Sequence, residues 1–126
     1  MRRREVFGME LIVNLYDCST AKFNKLGIAT FVANLCKKMG FKRIKGCWWD
    51  DEDSPTKGRD LPKKIRGISF VEFIIGSSIV VHAMKEIKSV YINIFSCNMF
   101  DGEKALKICK GFFKAKKWRN WVIVRI

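Results

Sequence analysis

The chain has 126 residues, with 25 Lys or Arg against 12 Asp or Glu, so its formal charge is +13. This length suits one compact domain, and 48% hydrophobic residues can fill a core, which excludes a disordered basic tail. No apolar run approaches the roughly 20 residues that cross a bilayer, and residues 1–10 lack the features of a secretory signal. Five cysteines without a Cys-x-x-Cys pair, and a single histidine, predict a reducing cytoplasmic setting and no metal site.

Apolar periodicity predicts six strands and two helices. The first strand alternates along Glu10–Tyr16, and the first helix keeps a 3.6-residue period up to Gly40, where a left-handed C-cap is expected. The other predicted elements are strands at Phe41–Trp49, Ile68–Ile75, Ile79–Met84, Val90–Cys97 and Trp121–Ile126, and a helix at Glu103–Lys117. Both prolines and four consecutive acids fall in residues 50–64, which predicts an exposed loop.

The order of these elements predicts an α+β fold in one domain that spans residues 1–126. Strands joined by short turns pair antiparallel, and two amphipathic helices can cover one face of the resulting sheet. We therefore expect a two-layer α/β sandwich, with an antiparallel sheet and both helices on one face.

The high positive charge first suggests a polyanion partner. The predicted helix Glu103–Lys117, however, carries lysines on one face and apolar side chains on the other, as a helix lying on a sheet does. No signature of a known nucleic-acid module accompanies the charge. Nucleic-acid binding is therefore a distant alternative, and its affinity would fall steeply with salt.

Hydroxyl, thiol and imidazole groups are expected to meet on the predicted strands. If Ile79–Met84 pairs with Val90–Cys97, Cys97 comes opposite Ser77 or Ser78, with His82 further along the same ladder. Ser69 lies on the preceding strand, within reach of His82. Each residue alone also has a structural explanation, but together they predict a cluster for nucleophilic and proton-transfer chemistry at one end of the sheet.

The sequence resembles the S-adenosylmethionine decarboxylases, in particular their short prokaryotic form. The likeness runs from Gly8 through nearly the whole chain and is most specific at residues 67–69, 77–86 and 95–97. In that family a serine, matched by Ser77, attacks the carbonyl carbon of the residue before it, and elimination leaves a pyruvoyl group. The resemblance implies cleavage between Gly76 and Ser77 into a β chain (1–76) and an α chain (77–126).

The resemblance also implies the roles of the site residues. The pyruvoyl group, the covalent cofactor derived from Ser77, would form a Schiff base with the substrate amine and accept electrons as carbon dioxide leaves. Cys97 matches the proton donor, and His82 and Ser69 match residues that assist self-processing. Glu86 matches the carboxylate that holds the substrate ribose. The family forms homodimers in which both protomers shape the pocket.

Some positions depart from the family pattern. Gly76 and Ser78 stand where the family has Glu and His around the processed serine, and Lys63, six residues before Ser69, replaces an aromatic that stacks on adenine. Met84 and Lys85 replace the usual Trp-Pro pair before Glu86. Two open alternatives follow, a decarboxylase of arginine or ornithine with the same cofactor and a regulatory paralogue that does not process itself.

Several other side chains are candidates for substrate recognition. The acidic block at residues 50–53 could attract a cationic substrate, although a solvated loop is the simpler interpretation. Trp48 or Trp49 could replace the stacking aromatic, and Lys63 or Lys85 could attract a carboxylate. The leading hypothesis is a self-processing, pyruvoyl-dependent decarboxylase of polyamine and spermidine biosynthesis that acts on S-adenosylmethionine.

Overall fold

The computed structural model describes residues 4–126, so the first three residues of the segment tested for a secretory signal lie outside the described part. Six strands and two helices follow in the predicted order. Their bounds are β1 Gly8–Tyr16, α1 Lys25–Met39, β2 Arg43–Asp50, β3 Gly67–Ile74, β4 Ser77–Met84, β5 Ser89–Ser96, α2 Gly102–Phe113 and β6 Lys117–Arg125. Single 3₁₀ turns lie at residues 20–22, 51–53 and 63–65.

The six strands form one antiparallel sheet in the order β2-β3-β4-β5-β1-β6. Both helices pack on the same face, which we call the helix face, and the opposite face is the open face. The predicted α+β two-layer sandwich is therefore confirmed. Strands β2 and β6 form the two edges of the sheet.

The second helix ends four residues earlier than the periodicity predicted. Lys114 adopts a left-handed conformation, with φ of 50°, and its N–H bonds to the carbonyl groups of Gly111 and Lys110. This cap frees the chain to enter β6 at Lys117, before the predicted start at Trp121. The error arose because lysines continue the helical charge pattern past the point where the backbone turns.

The core lies between the helices and the helix face of the sheet. Alternate residues of the central strands point into it, including Leu11, Val13, Leu15, Ile79, Val81, Val90, Ile92 and Ile94. Phe31 of α1 is fully buried, and its ring centroid lies 4.8 Å from that of Phe113 and 5.4 Å from that of Phe112, both on α2. These rings join the two helices over the sheet.

Most of the loop predicted at residues 50–64 is exposed, but its acidic segment is held in place by ion pairs and Asp51 is buried. Asp51 is only 1% exposed, and its Oδ1 lies 3.2 Å from Nζ of Lys85, which also lies 3.0 Å from Oε1 of Glu52. Asp53 pairs with Lys25 of α1 at 2.6 Å. Both lysines are distant in sequence, so local composition could not reveal these pairs. Carboxylates already engaged in this way do not support the expectation that the block attracts a cationic substrate.

A second buried carboxylate lies within the sheet. Glu72 of β3 is 2% exposed and bonds to Nε of Arg43 on the edge strand β2, while its Oε2 has no hydrogen-bond partner. Trp48 of β2 packs on Phe70, with ring centroids 4.2 Å apart, whereas Trp49 is half exposed on the open face. Trp48 is therefore a packing residue of β2.

We predict that Phe31→Ala lowers the free energy of unfolding by about 3–5 kcal/mol, because it removes a fully buried ring from the junction of both helices. Leu26→Ala on the same helix is the matched control. Leu26 is 79% exposed, so its loss should change stability by less than about 0.5 kcal/mol. Urea unfolding followed by circular dichroism measures both values, and equal effects of the two substitutions would contradict this description of the core.

Candidate active site

Ser77 begins β4 directly after a tight turn from β3. The turn contains Gly76, whose φ of 63° is the left-handed conformation that glycine adopts without strain. The Ser77 hydroxyl donates to the carbonyl oxygen of Ile75 at 3.2 Å and accepts from the backbone N–H of Cys97 at 3.0 Å. Two backbone groups therefore fix this hydroxyl beside the peptide bond that precedes it.

The thiol of Cys97 lies against the same turn. Its Sγ is 3.6 Å from the carbonyl oxygen of Ile75 and accepts from Nδ2 of Asn98, also at 3.6 Å. A Cβ added at Gly76 would lie 3.0 Å from this sulfur, so the missing side chain lets the thiol approach the turn. Sequence reasoning missed Asn98, although its position next to Cys97 was a usable signal.

A cavity of about 280 Å³ opens beside Ser77 and Cys97 on the helix side. Its lining residues are Met39, Gly40, Phe41, Lys42, Ile74, Ile75, Ser77, Ser96, Cys97, Asn98, Met99 and Phe100. The rings of Phe41 and Phe100 meet edge to face, with centroids 5.5 Å apart. Among these lining residues there is one charged side chain, Lys42, and no carboxylate. The cavity therefore combines polar groups, such as Ser77, Ser96 and Asn98, with apolar, aromatic and thioether surface.

Ser69 and His82 form a cross-strand pair on the open face. They are register partners on β3 and β4, and Oγ of Ser69 lies 2.6 Å from Nδ1 of His82. The expectation that Ser69 lies within reach of His82 is confirmed. The expected position of Cys97 opposite Ser77 or Ser78 is wrong, because Ser78 pairs with Phe95 and the same register brings Cys97 opposite Gly76. His82 is exposed, not a core histidine, because its neighbours Val81 and Ala83 point to the opposite, buried face.

The structure separates the chemical groups that we expected at one end of the sheet. His82 follows Ser77 by five residues of extended chain, which spans roughly 16 Å. Ser77 also shares the helix side with Ile79, whereas His82 lies on the open face. The prediction of one crowded cluster is therefore wrong within a single protomer, because the extension of β4 carries the imidazole away from the turn.

Glu86 lies further still from Ser77, in the turn between β4 and β5, and it is exposed. The adjacent Lys85 is occupied by Asp51 and Glu52, and although burial opposes the charge, these hydrogen bonds raise the pKa of Lys85 above its usual value. Lys85 is therefore a structural cation and not a free attractant for substrate. Lys63 lies in an exposed 3₁₀ turn before β3.

Three of the five cysteines are buried in the core. Burial, with a contribution from the charge of Asp17, raises the pKa of Cys18 to about 11. Burial likewise raises the pKa of Cys36 to about 11 and that of Cys109 to about 12. Cys47 is exposed and Cys97 is partly exposed, so these two thiols are the accessible ones.

Within residues 4–126, no cluster of three or more His, Cys, Asp or Glu side chains has the geometry to hold a metal ion. No helix in that range combines the length and the apolar character needed to cross a membrane.

Comparison with known proteins places this chain in a family. The family model described as S-adenosylmethionine decarboxylase matches residues 9–125, so the chain belongs to the S-adenosylmethionine decarboxylase family. The fold is similar to the crystal structure of the adenosylmethionine decarboxylase from Aquifex aeolicus VF5, with a TM-score of 0.75 at 15% sequence identity. That similarity covers 97% of this chain and 92% of the Aquifex chain. No curated protein matches the sequence.

We predict that iodoacetamide at pH 8 labels Cys47 and Cys97 in the folded protein and leaves the other three thiols unmodified. At that pH a thiol with a pKa of 11 is ionised in roughly one molecule in a thousand, and only the thiolate reacts. Peptide mass mapping identifies the labelled positions, and labelling in guanidinium chloride should reach all five cysteines. Rapid labelling of Cys109 in the folded protein would contradict its burial.

Proposed function

We propose that the chain is a proenzyme that cleaves itself between Gly76 and Ser77 and then decarboxylates S-adenosylmethionine in polyamine biosynthesis. The observation that carries this proposal is the Ser77 hydroxyl, held by the N–H of Cys97 at a glycine turn. Membership of the S-adenosylmethionine decarboxylase family supports the class of reaction.

The residues around Ser77 fit the formation of a pyruvoyl group. The hydroxyl oxygen is positioned by two backbone groups, and Gly76 brings no side chain between the turn and the Cys97 thiol. Glycine also adopts the backbone conformations that an acyl shift to the serine oxygen requires. When present, a pyruvoyl group accepts the electron pair left behind as carbon dioxide departs.

Cys97 is proposed to hold the proton that the decarboxylated substrate needs. Its thiol lies in the cavity beside Ser77, partly exposed, so it can approach a bound substrate. Asn98 donates to the sulfur, and such a bond stabilises the sulfur once its proton has been transferred.

The cavity favours S-adenosylmethionine over arginine or ornithine. A guanidinium or ammonium side chain needs a carboxylate partner when it is buried, and the part of the cavity lined by a single protomer has none. The rings of Phe41 and Phe100 and the thioethers of Met39 and Met99 suit an adenine ring and a sulfonium, which aromatic faces attract. The carboxylates nearest to the lining in sequence are Glu72, which is bound to Arg43, and Asp101, which caps α2.

A homodimer that packs two open faces together would cover the apolar side chains that remain on this face. They include Phe73, Trp121 and Ile123, each at least 43% exposed. The Ser69–His82 pair is also presented there, too far along β4 to reach Ser77 of its own chain. Because Ser77 lies on the helix side, the partner's Ser69, the partner's His82 and the partner's Glu86 would have to reach it around the end of the sheet where β4 begins.

We predict that the purified protein separates in denaturing mass spectrometry into two fragments, residues 1–76 and 77–126, and that it releases carbon dioxide from S-adenosylmethionine. Ser77→Ala should remain a single chain, because it lacks the attacking hydroxyl. Ser78→Ala is the matched control and should be cleaved like the wild type. A wild-type chain that stays intact would favour the regulatory paralogue. Release of carbon dioxide only from arginine or ornithine would show that S-adenosylmethionine is not the substrate.

Mixing two uncleaved variants tests whether the site is shared between protomers. Ser77→Ala keeps His82, and His82→Ala keeps Ser77, so a mixed dimer contains one site with both groups. We expect each variant alone to stay intact and the His82→Ala chain to be cleaved only after the two are unfolded and refolded together. Denaturing mass spectrometry distinguishes the chains by mass. Absence of cleavage in the mixture, with dimers present, would contradict a shared site.

A further inference from the structure

Strand β6 is the most exposed element of the sheet. All nine of its residues are exposed. In the described chain, six of the sixteen exposed large hydrophobic residues lie on it or directly after it, namely Trp118, Trp121, Val122, Ile123, Val124 and Ile126. Isolated apolar side chains are ordinary on a surface, but a concentration of this kind marks a contact region.

The outer edge of β6 is open and regular. On one side β6 pairs with β1 over nine consecutive residue pairs, and on the other side no strand of residues 4–126 lies next to it. Protected edges usually contain a proline, a bulge or an inward-pointing charge, and β6 has no proline and no register shift. Its unpaired N–H and C=O groups can therefore accept another strand along their full length.

The two sides of β6 differ in their charge. On the helix side it presents Trp118, Val122 and Val124, whose partners on β1 are the buried Leu15, Leu11 and Met9, and the uncharged Asn120. The open side carries all three cations of the strand, Lys117, Arg119 and Arg125, together with Trp121 and Ile123, and Arg125 already lies 3.3 Å from Glu10. A strand that pairs with this edge would match it best with apolar residues on one face and acidic residues on the other.

Charge argues for a different protein and against a second copy of this chain. After Glu103 the sequence has eight Lys or Arg and no Asp or Glu. If two β6 strands paired antiparallel over their whole length, Lys117 would lie opposite Arg125 at both ends, and like charges directly opposite destabilise a sheet. A nucleic acid would neutralise the cations but would leave the backbone groups of the edge and the aliphatic stripe without partners.

We propose that the outer edge of β6 binds an extended, acidic segment of another protein, which joins the sheet as a seventh strand. The acidic side chains of that segment face Lys117 and Arg119, and its apolar side chains cover Trp118 and Val122. No residue assigned to the decarboxylase reaction lies on this edge, so the interaction can be tested independently of that function.

The test uses a synthetic nine-residue peptide of alternating Glu and Val with blocked ends, titrated into the full-length ¹⁵N-labelled protein. We expect the amide signals of β6 to move and the affinity to fall as salt increases. A peptide with Lys in place of Glu, and one with Pro in place of the central Val, should each bind at least tenfold more weakly. Val122→Lys should weaken binding about tenfold, because it places a charge in the apolar stripe. Ile44→Lys on the opposite edge strand is the matched control and should bind like the wild type.

Four results would overturn the proposal. These are equal binding of the Glu and Lys peptides, signal changes confined to other strands, tighter binding of single-stranded oligo(dT) at the same amides, and self-association of the free protein along the outer edge of β6. The last of these would appear in analytical ultracentrifugation as an association of the wild type that Val122→Lys abolishes, whereas a dimer through the open faces would persist in both proteins. Cleavage at Ser77 is measured in the same preparations. If it is unchanged while peptide binding fails, the result contradicts the strand-binding proposal and not the decarboxylase assignment.

Discussion

The two-residue period of a β-strand sends alternate side chains of this sheet to opposite faces, and helices cover only one of those faces. Odd-numbered residues of β1 and β4 enter the core under α1 and α2, and even-numbered residues meet the open face. Ser77 and His82, five residues apart on β4, must therefore lie on opposite faces. The division of the candidate site into two groups follows from this parity.

The same asymmetry explains why a second protomer is central to the proposed chemistry. A single sheet with one covered face leaves apolar side chains such as Phe73 and Trp121 in contact with water, and burying them is favourable. It also leaves the Ser69–His82 pair roughly 16 Å of extended strand away from Ser77 of its own chain. Packing two open faces would bury the apolar side chains, and a shared site further requires that the partner's pair reaches Ser77 around the end of the sheet.

Local patterns were sufficient to predict the secondary structure, the strand order in sequence and the two-layer fold. They also predicted that Ser69 lies within reach of His82, because a short turn makes the two strands adjacent and antiparallel. They were insufficient wherever a distant residue decides the outcome. Asp51 is buried because Lys85 reaches it from 34 positions away, and the end of α2 depends on a left-handed Lys114 within a continuous run of helix-forming residues. The expected cluster at one end of the sheet failed for a different reason, since register was considered but the length of β4 was not.

The cations that give the chain its +13 charge differ in whether they have acidic partners. Lys25 and Lys85 hold the acidic segment in place, and Arg43 neutralises the buried Glu72. The cations that follow Glu103 have few acidic partners, since the sequence contains no carboxylate side chain beyond that residue. The part of the chain from α2 to β6 therefore carries positive charge that its own side chains do not balance.

The strand order also determines what a break after Gly76 would do to the molecule. Residues 1–76 contribute β1, α1, β2 and β3, and residues 77–126 contribute β4, β5, α2 and β6. Because β1 lies between β5 and β6, each fragment is interlocked with the other through two separate strand ladders, in addition to the pairing of β3 with β4. The two pieces would stay together as one cooperatively folded body, so a nicked molecule and an intact one would have the same native size and would unfold as a unit.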